Sequence, residues 1–369
     1  NLVPTLGIAQ GLVEAGHEVR VLSHRSVDER FGRRGWSFRP FSSAPEYDAA
    51  HPGDLAQEMG FLVEHVFFGG AIATDTLAEI NRTPTDAVLV DALMPSALCA
   101  AEASRVPTAA LFHTAYCLFR AGPLLEMVSA ALPMLAAVRT DLGLDSIAGI
   151  PELHDRCHLG LVTSPREFES PGDVAADVRF VGPVLDAPLP VLTDPVPTVE
   201  DDPAPLVVVS FSTSDMGQTA VLQRVLDGLA VVAARVLVTT GPSVDPHALR
   251  VPANATVVGH VPHAAVLPWA SLVVTHAGMG TVMAALANGL PLVCMPMGRD
   301  QFFNAQRVAE LGAGRVVASD ADGSAIAAAV TEVLVDTTLR EGAKRMATDI
   351  ASYGGAAGAV AELERLASD

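Results

Sequence analysis

The chain is divided by a stretch that cannot belong to a regular core, "DAPLPVLTDPVPTVEDDPAP" at residues 186–205. Its repeated prolines lack backbone N–H groups, so it can neither continue a helix nor pair as a central strand. On both sides of it, short apolar strands alternate with helical segments, which is typical of an α/β fold with mostly parallel sheets. We therefore predict, in a chain of 369 residues, an N-terminal domain over 1–185, a linker over 186–205 and a C-terminal domain over 206–350.

The two ends of the chain carry helical patterns. "NLVPTLGIAQGLVEAGHEVRVLS" has helical spacing up to Val13, a glycine suited to a helix end at Gly16, and then a strand. This order is the second half of a β-α-β unit, so the strand expected before it is missing from the sequence. Residues 326–367 are Ala-rich and helical with breaks near 353–355, and the helix over 351–369 is expected to pack back toward the N-terminal domain.

Charge and composition restrict the partners. The chain has 42 acidic and 23 basic residues and a net charge of −19, so it repels nucleic acid phosphates and DNA or RNA is a poor partner. Every apolar run is interrupted before the roughly 18 residues that a membrane span needs, so no span is expected. The four cysteines form no C-x-x-C pair, which favours reduced thiols of a cytoplasmic protein over disulfides or a zinc site.

The stretch with the most chemical information is "LVVTHAGMGTVMAALANGLPLVCMPMGRDQFFNAQRVAELGAG". An apolar strand runs into His276-Ala277-Gly278-Met279-Gly280-Thr281, where a helix begins. Small residues let the backbone approach a ligand, and the first N–H groups of a helix attract a phosphate, so no metal is needed to neutralise a diphosphate here. A dinucleotide site would be expected to have a third small residue in the turn, but this stretch reads G-x-G-x-x-M.

The same stretch resembles the GT-B nucleotide-sugar glycosyltransferases, in particular the plant and bacterial group that glycosylates small lipophilic acceptors, including antibiotic glycosyltransferases of actinobacteria. The motif, the following strand, "PMGRDQFFNAQRV" and "GAG" occur in the family's order and spacing, and "NLVPTLGIAQGLVEAGHEV" resembles its G-H-x-x-P opening. The resemblance implies two facing Rossmann-like domains with parallel sheets and a cleft between them. It also implies an enzyme that uses a dTDP- or UDP-sugar as co-substrate, without a bound cofactor or metal.

The resemblance also implies roles for single residues on the donor side. The donor diphosphate would be held by His276, Gly278, Gly280 and Thr281, with help from Ser212 and Thr213 after "LVVVSF". The donor sugar would bind Asp300 and Gln301, since a carboxylate accepts from a diol and an amide both donates and accepts. The base-binding stretch departs from the family's W-x-P-Q and reads His260-Val261-Pro262-His263, so the expected base and ribose contacts are His260, Val261 and His263.

The acceptor is expected in the first half, in two segments rich in Phe, Met and Leu, "MGFLVEHVFF" at 59–68 and "FHTAYCLFRAGPLLEMVSAALPM" at 112–134. An apolar helix face often belongs to the core, but related enzymes use these segments for an apolar acceptor pocket. The expected pocket residues are Met59, Phe61, Phe67, Phe68, Met94, Phe112 and Tyr116.

Catalysis by inversion needs a base near the acceptor hydroxyl, and the family supplies a His oriented by an Asp. Alignment on Pro4 places Asn1 at the His position, while Asp91 matches the orienting acid. Asn cannot accept a proton at neutral pH. Three explanations stay open: Asp91 or another residue such as His113 is the base, the acceptor is already activated, or the protein is an auxiliary homologue.

We therefore predict an inverting, metal-independent glycosyltransferase that acts on a lipophilic natural product. The alternatives are an auxiliary homologue that partners an active transferase, or a nucleotide-sugar epimerase of the same architecture. A homodimer is left open.

Overall fold

The computed structural model describes residues 2–32, 34–47, 59–185, 203–212 and 216–368. They form two compact units. Unit 1 holds the described residues up to 185 together with 353–368, and unit 2 holds those of 203–352. Residues 186–202 of the predicted linker lie outside the described part.

Unit 1 contains two parallel sheets, one of two strands in the order β1-β2 and one of four strands in the order β3-β4-β5-β6. Its helices and strands are α1 Leu2–Glu14, β1 Arg20–Ser23, α2 Arg25–Phe31, β2 Ser37–Pro40, α3 Gly70–Arg82, β3 Val88–Asp91, α4 Pro95–Ser104, β4 Thr108–Phe112, α5 Pro123–Ser129, α6 Leu132–Asp141, α7 Ile150–Asp155, β5 Leu159–Val162 and β6 Val178–Phe180. A π-helix at Leu62–Phe67 precedes α3. The apolar run "TAALF" forms β4 and is buried along its whole length, as expected for a central strand of a parallel sheet.

The C-terminal helix, α14 at Gly355–Ser368, belongs to unit 1 and packs on α1. A Cβ at Gly11 of α1 would lie 3.1 Å from Val360 of α14, so the two helices approach closely there. The Tyr353 hydroxyl accepts a hydrogen bond from the Arg166 N–H at 2.9 Å and donates to Glu167 at 2.8 Å. These contacts fix the chain where α14 begins. The predicted strand before α1 stays a prediction.

Unit 2 is built around one six-stranded parallel sheet in the order β12-β11-β10-β7-β8-β9. Its elements are β7 Leu206–Ser210, α8 Thr219–Leu229, β8 Arg235–Thr239, β9 Ala255–Val258, α9 His263–Val266, β10 Leu272–Thr275, α10 Met279–Ala287, β11 Leu292–Cys294, α11 Gln301–Glu310, β12 Gly314–Val316, α12 Gly323–Val335 and α13 Thr337–Ala351. The prediction of an α/β fold with parallel sheets is confirmed.

The structure differs from the sequence prediction at several element boundaries. The predicted helical stretch from residue 326 is also interrupted at Asp336, whose carboxylate accepts the Thr338 N–H at 2.9 Å and so begins a new helix. The helix expected from Asn304 begins at Gln301. Strand β2 was not predicted, because its four residues carry no apolar run.

One helical stretch of the described residues, Met59–Arg82, is long and apolar enough to cross a membrane by length and composition, and 44% of its apolar window is buried in the protein. The expectation of no membrane span therefore stays a prediction. All four cysteines are free thiols, two of them buried.

Candidate functional site

The predicted phosphate motif lies where the strand order of unit 2 reverses. Strands β7 and β10 are neighbours although they are not consecutive in the chain, and Ser210 pairs with Thr275 at their carboxyl ends. Open α/β sheets bind ligands outside the strand ends at such a reversal point. His276 follows β10 directly and Ser212 lies two residues beyond β7.

The turn between β10 and α10 is strained and held from two sides. Ala277 has a φ of 66°, a left-handed conformation that is uncommon for a residue with a side chain. Its N–H donates to Thr275 Oγ1 at 3.2 Å, and its carbonyl accepts from Asn304 Nδ2 at 3.0 Å. Such strain is often stored at functional sites.

Gly278 makes room for the imidazole of His276. A Cβ at Gly278 would lie 2.5 Å from His276 Nε2, closer than real Cβ contacts allow. Gly278 is also the N-cap of α10, whose first N–H groups can bind an anion. Gly280, two residues further on, is exposed and a Cβ there would meet no atom within 4 Å. The loop thus leaves open space at the helix N-terminus.

His276 is neutral in this environment. The side chain is 7% exposed and stacks on the ring of Phe211, with ring centroids 5.9 Å apart. Burial lowers the pKa of His276 to about 4, although the nearby Asp300 carboxylate favours the protonated form. At neutral pH His276 can therefore donate one hydrogen bond but carries no charge. Thr281 is buried in the first turn of α10.

Asn304 joins the phosphate loop to Asp300. Its Nδ2 donates to the Ala277 carbonyl and also to Asp300 Oδ2 at 3.1 Å, and its side chain has no exposed surface. Gln301 is buried beside it, and its Oε1 accepts the N–H groups of Met297 and Gly298 at 2.9 and 3.1 Å. Sequence reasoning missed Asn304. The spacing of four residues from Asp300, which places both on one helix face, was the available signal.

The loop after β7 is anchored by Gln218, which sequence reasoning also missed. Gln218 Nε2 donates to the Ser212 carbonyl at 3.1 Å and to Ser243 Oγ at 3.0 Å, and Oε1 accepts the Met216 N–H at 2.6 Å. Gln218 therefore holds both described ends of the loop. The predicted diphosphate residue Thr213 lies outside the described residues.

The predicted base-binding stretch lies beside the end of β7. His263 begins α9, and its Nε2 is 3.1 Å from Ser210 Oγ. Burial, with an added contribution from the neighbouring His260, lowers the pKa of His263 to about 4. Val261 is buried, so its side chain belongs to the core and only its backbone could reach a base.

In unit 1, Asp91 and His113 lie side by side. Asp91 ends β3 and pairs with Leu111 of β4, which brings His113, just after β4, to the same sheet edge. Asp91 Oδ2 lies 3.1 Å from His113 Nδ1, and Asp91 Oδ1 accepts the Leu93 N–H at 2.8 Å. Burial raises the pKa of Asp91, but His113 and the Leu93 N–H outweigh it and hold that pKa below its usual value. Asn1 lies outside the described residues.

An apolar cavity of about 670 Å³ lies in unit 1 and is open to solvent. Its wall consists of Met59, Gly60, Val63, Glu64, Met127 and Met134. Part of that wall comes from the π-helix, a local distortion that is frequent at functional sites. Both segments predicted for the acceptor contribute to it, and Met127 and Met134 were not singled out individually.

The other predicted pocket residues occupy different places. Phe61 stacks on Tyr47 with centroids 5.9 Å apart and contacts His65 at 4.8 Å. Phe67 and Met94 are partly buried and pack against the core. The structure puts Phe68, Phe112 and Tyr116 inside the hydrophobic core, at no more than 3% exposure, so they support the fold and do not line the cavity.

Within the described part of the chain, no group of three or more His, Cys, Asp or Glu side chains is placed to hold a metal ion.

Comparison with known proteins gives a consistent result. Residues 223–366 match the family model "Erythromycin biosynthesis protein CIII-like, C-terminal domain". The 4'-demethylrebeccamycin synthase of Lentzea aerocolonigenes is 29% identical over 354 residues, which cover 84% of this chain and 83% of that protein. Two other curated relatives match over about half of their own length, 53% and 54%.

Solved structures match along the whole chain. The calicheamicin glycosyltransferase CalG4 superposes with a TM-score of 0.79 at 24% identity, covering 99% of this chain and 94% of that one. The glycosyltransferase VinC, solved in complex with dTDP, gives 0.78 at 19% identity, covering 100% and 96%. These matches confirm the predictions of a glycosyltransferase and of the GT-B fold. Residues 223–366 are thus similar to the erythromycin biosynthesis protein CIII-like C-terminal domain, and the chain has the GT-B fold of the solved glycosyltransferase structures.

Proposed function

We propose that this chain transfers a sugar from a dTDP- or UDP-sugar to a lipophilic natural product, with inversion at the anomeric carbon and without a metal ion. The observation that carries the proposal is the phosphate loop. His276 and the N-terminus of α10 lie at the reversal point of the sheet, and Asn304 joins the intervening Ala277 to Asp300.

The loop offers the groups that a leaving diphosphate needs. The N–H groups at the start of α10 point out of the helix, and the helix dipole adds a favourable potential for an anion. His276 adds a neutral hydrogen-bond donor whose ring is fixed by Phe211 and Gly278. These groups stabilise the charge that develops on the diphosphate as the bond to the sugar breaks, so a metal is not required in this scheme.

Different residues are candidates for binding the donor sugar and the nucleotide base. Asp300, positioned by Asn304, would accept hydrogen bonds from sugar hydroxyls. The His260-Val261 backbone would contact the base, and no large aromatic ring such as Trp stands at this position. A bound dTDP in VinC makes dTDP the first nucleotide to test.

The cavity of unit 1 is the candidate acceptor site. Its three methionines present a flexible, polarisable apolar surface, which suits a bulky acceptor. Its volume of about 670 Å³ also lies within the range of small-molecule sites. The acceptor class in this proposal is therefore a lipophilic molecule with one nucleophilic hydroxyl, or another nucleophile in its place.

Calorimetric titration with dTDP and UDP tests the part of the proposal that concerns donor binding. We expect saturable binding that persists in EDTA and weakens at least tenfold in His276→Ala, whereas His247→Ala, an exposed histidine of the same unit, binds as wild type. If the wild-type protein binds neither dTDP nor UDP, the proposal is wrong.

Transfer assays with dTDP- and UDP-sugars and a panel of lipophilic acceptors test the part of the proposal that concerns sugar transfer. NMR of the product reports the anomeric configuration, and a retained configuration contradicts inversion. Donor binding without turnover on any acceptor would instead favour an auxiliary homologue. Conversion of the donor sugar without an acceptor would favour an epimerase.

A further inference from the structure

We propose that His113 is the catalytic base of the transfer and that Asp91 is its positioning carboxylate. This inference rests on the proposed function, since it names the group that takes the proton of the acceptor. The position that the resemblance gives to the base is Asn1, whose amide cannot take a proton at neutral pH. The geometry of unit 1 supplies a different imidazole.

The strand register creates the pair. Strands β3 and β4 are parallel neighbours, and the pairing of Asp91 with Leu111 leaves His113 just beyond the same edge. The carboxyl edge of a parallel sheet is where such folds place ligand-binding groups. Both side chains are largely shielded, at 16% and 8% exposure, so their contact is only weakly screened by solvent.

The contact selects one tautomer of His113. Asp91 Oδ2 lies 3.1 Å from Nδ1, which is an ion-pair distance without the alignment of a hydrogen bond, while Oδ1 accepts the Leu93 N–H. The negative charge of the carboxylate at this distance favours the tautomer with the proton on Nδ1, which leaves Nε2 with its lone pair. A carboxylate beside Nδ1 also prepares histidine as a base in hydrolytic triads, where the two groups are hydrogen-bonded.

The proposed transfer is a single displacement at the anomeric carbon of the donor sugar. The acceptor oxygen forms a bond to the anomeric carbon while its proton moves to His113 Nε2. The bond between that carbon and the donor diphosphate breaks, and its electron pair leaves with the diphosphate. The resulting imidazolium is stabilised by Asp91, and the proton is released to solvent after the products depart.

Three other histidines of unit 1 fit this role less well. His154 Nε2 lies 3.0 Å from the Ala92 carbonyl, and burial lowers the pKa of His154 to about 4. His158 accepts the Thr108 N–H at the start of β4, on the opposite edge of the sheet. His17 contacts Glu364 on an exposed surface. His113 combines a shielded carboxylate partner with a place at the carboxyl edge.

The experiment compares acceptors of graded acidity. With an alkyl alcohol, we expect His113→Gln to lower kcat by about 10²–10⁴-fold, the usual contribution of a general base. With an acidic nitrophenol acceptor the loss should shrink at least tenfold, because that hydroxyl ionises without help. The Kd for dTDP, measured by calorimetry, should stay within twofold of wild type. His158→Gln, at the opposite edge of the same sheet, should keep the wild-type kcat.

Asp91 is tested through its effect on His113. Asp91→Asn should lower kcat with little change in acceptor KM, and Asp91→Glu should recover part of the loss. In the wild-type protein, ¹⁵N NMR of the histidines should show His113 protonated at Nδ1 and unprotonated at Nε2. This last measurement does not depend on whether a variant folds.

Two results overturn the inference. One is a folded His113→Gln enzyme with wild-type kcat on the alkyl alcohol, and the other is an Nε2-protonated His113 at neutral pH. Failure of the proposed function itself is distinguishable, because wild-type protein would then transfer no sugar to any acceptor.

Discussion

The two units place functional groups at the same kind of edge but build them differently. In unit 2 the phosphate loop is one contiguous stretch, 276–281, whose anion-binding groups are largely backbone N–H groups at the start of α10. In unit 1 the proposed catalytic pair consists of two side chains, Asp91 and His113, from the ends of two strands. Both lie at carboxyl ends of parallel strands.

This difference follows from what each half of the reaction requires. A diphosphate needs several donors and a favourable field, and a helix N-terminus supplies both from consecutive residues. A base needs one titratable group whose protonation is controlled by a second, and parallel strands bring such groups together from distant points of the sequence. The first design tolerates changes of surface side chains, while the second depends on two particular ones.

The largest predicted effect is a loss of stability at acidic pH, and it tests whether the free energies of unfolding of the two units depend on pH in the same way. His276 in unit 2 and His154 in unit 1 both have pKa values lowered by burial to about 4, against an ordinary value of 6.5. Between pH 6.5 and 4 the unfolded chain therefore binds protons that the native protein does not. The free energy of unfolding should be constant above pH 6.5 with respect to these groups. As the pH falls to 4, each of the two histidines should lower the free energy of unfolding by about 3 kcal/mol.

The two tryptophans report on each unit. Trp36 is buried in unit 1 and Trp269 is half-exposed in unit 2, so Trp269→Phe and Trp36→Phe proteins isolate the two signals. In urea titrations followed by fluorescence, His154→Phe should flatten the pH dependence of the Trp36 transition only. An equal effect on both transitions would show that the units unfold together.

A smaller effect is expected from Asn304→Ala, which cuts the link between the phosphate loop and Asp300. The buried amide donates to Ala277, whose left-handed backbone depends on that bond, and to Asp300. Loss of buried hydrogen bonds should lower the free energy of unfolding by about 2 kcal/mol and weaken dTDP binding. Calorimetry and urea titration measure the two quantities.

Asn288→Ala is the matched control for that variant. Asn288 also donates its amide to a backbone carbonyl of α10, that of Ala284 at 2.8 Å, but it is exposed and lies at the far end of the helix. We expect a loss below about 1 kcal/mol and unchanged nucleotide binding. Equal losses of stability and of nucleotide affinity in both variants would mean that Asn304 has no special role in linking the phosphate loop to Asp300.

Much of unit 2 could be predicted from the sequence because its information is local. The strand-to-helix turn, its glycines and His276 stand in one motif, and the structure keeps that order. The roles of Asn304 and Gln218 were not predicted, since buried amides have no pattern of their own and their partners depend on the folded loops.

Unit 1 was predicted less completely because its information is tertiary. Asp91 and His113 were separate candidates, and their contact depends on the register of β3 against β4, which no local pattern specifies. Phe68, Phe112 and Tyr116 were expected in the pocket but fill the core. An apolar residue fits either place, and only the packing of neighbouring elements decides between them.

A more local effect is predicted for Gly278→Ala. Gly278 has an ordinary φ of −62°, so the backbone accepts alanine, but the new methyl would displace the imidazole of His276. The Kd for dTDP should rise about tenfold, which corresponds to about 1.4 kcal/mol, with little loss of stability. Gly172→Ala, in open space at a loop of unit 1, should leave the Kd unchanged. Wild-type affinity in Gly278→Ala would argue against a role of the His276 ring orientation.

The smallest predicted effect belongs to the cavity wall, where single contacts matter least. Met127 lines the cavity and is 38% exposed, so its truncation removes apolar contact area from an acceptor without opening the core. Met127→Ala should raise the acceptor KM about threefold, which corresponds to less than about 1 kcal/mol, and leave the Kd for dTDP unchanged. Val231→Ala, an exposed apolar residue of unit 2, should change neither quantity. An unchanged acceptor KM in Met127→Ala, repeated in Met134→Ala, would place the acceptor elsewhere in unit 1.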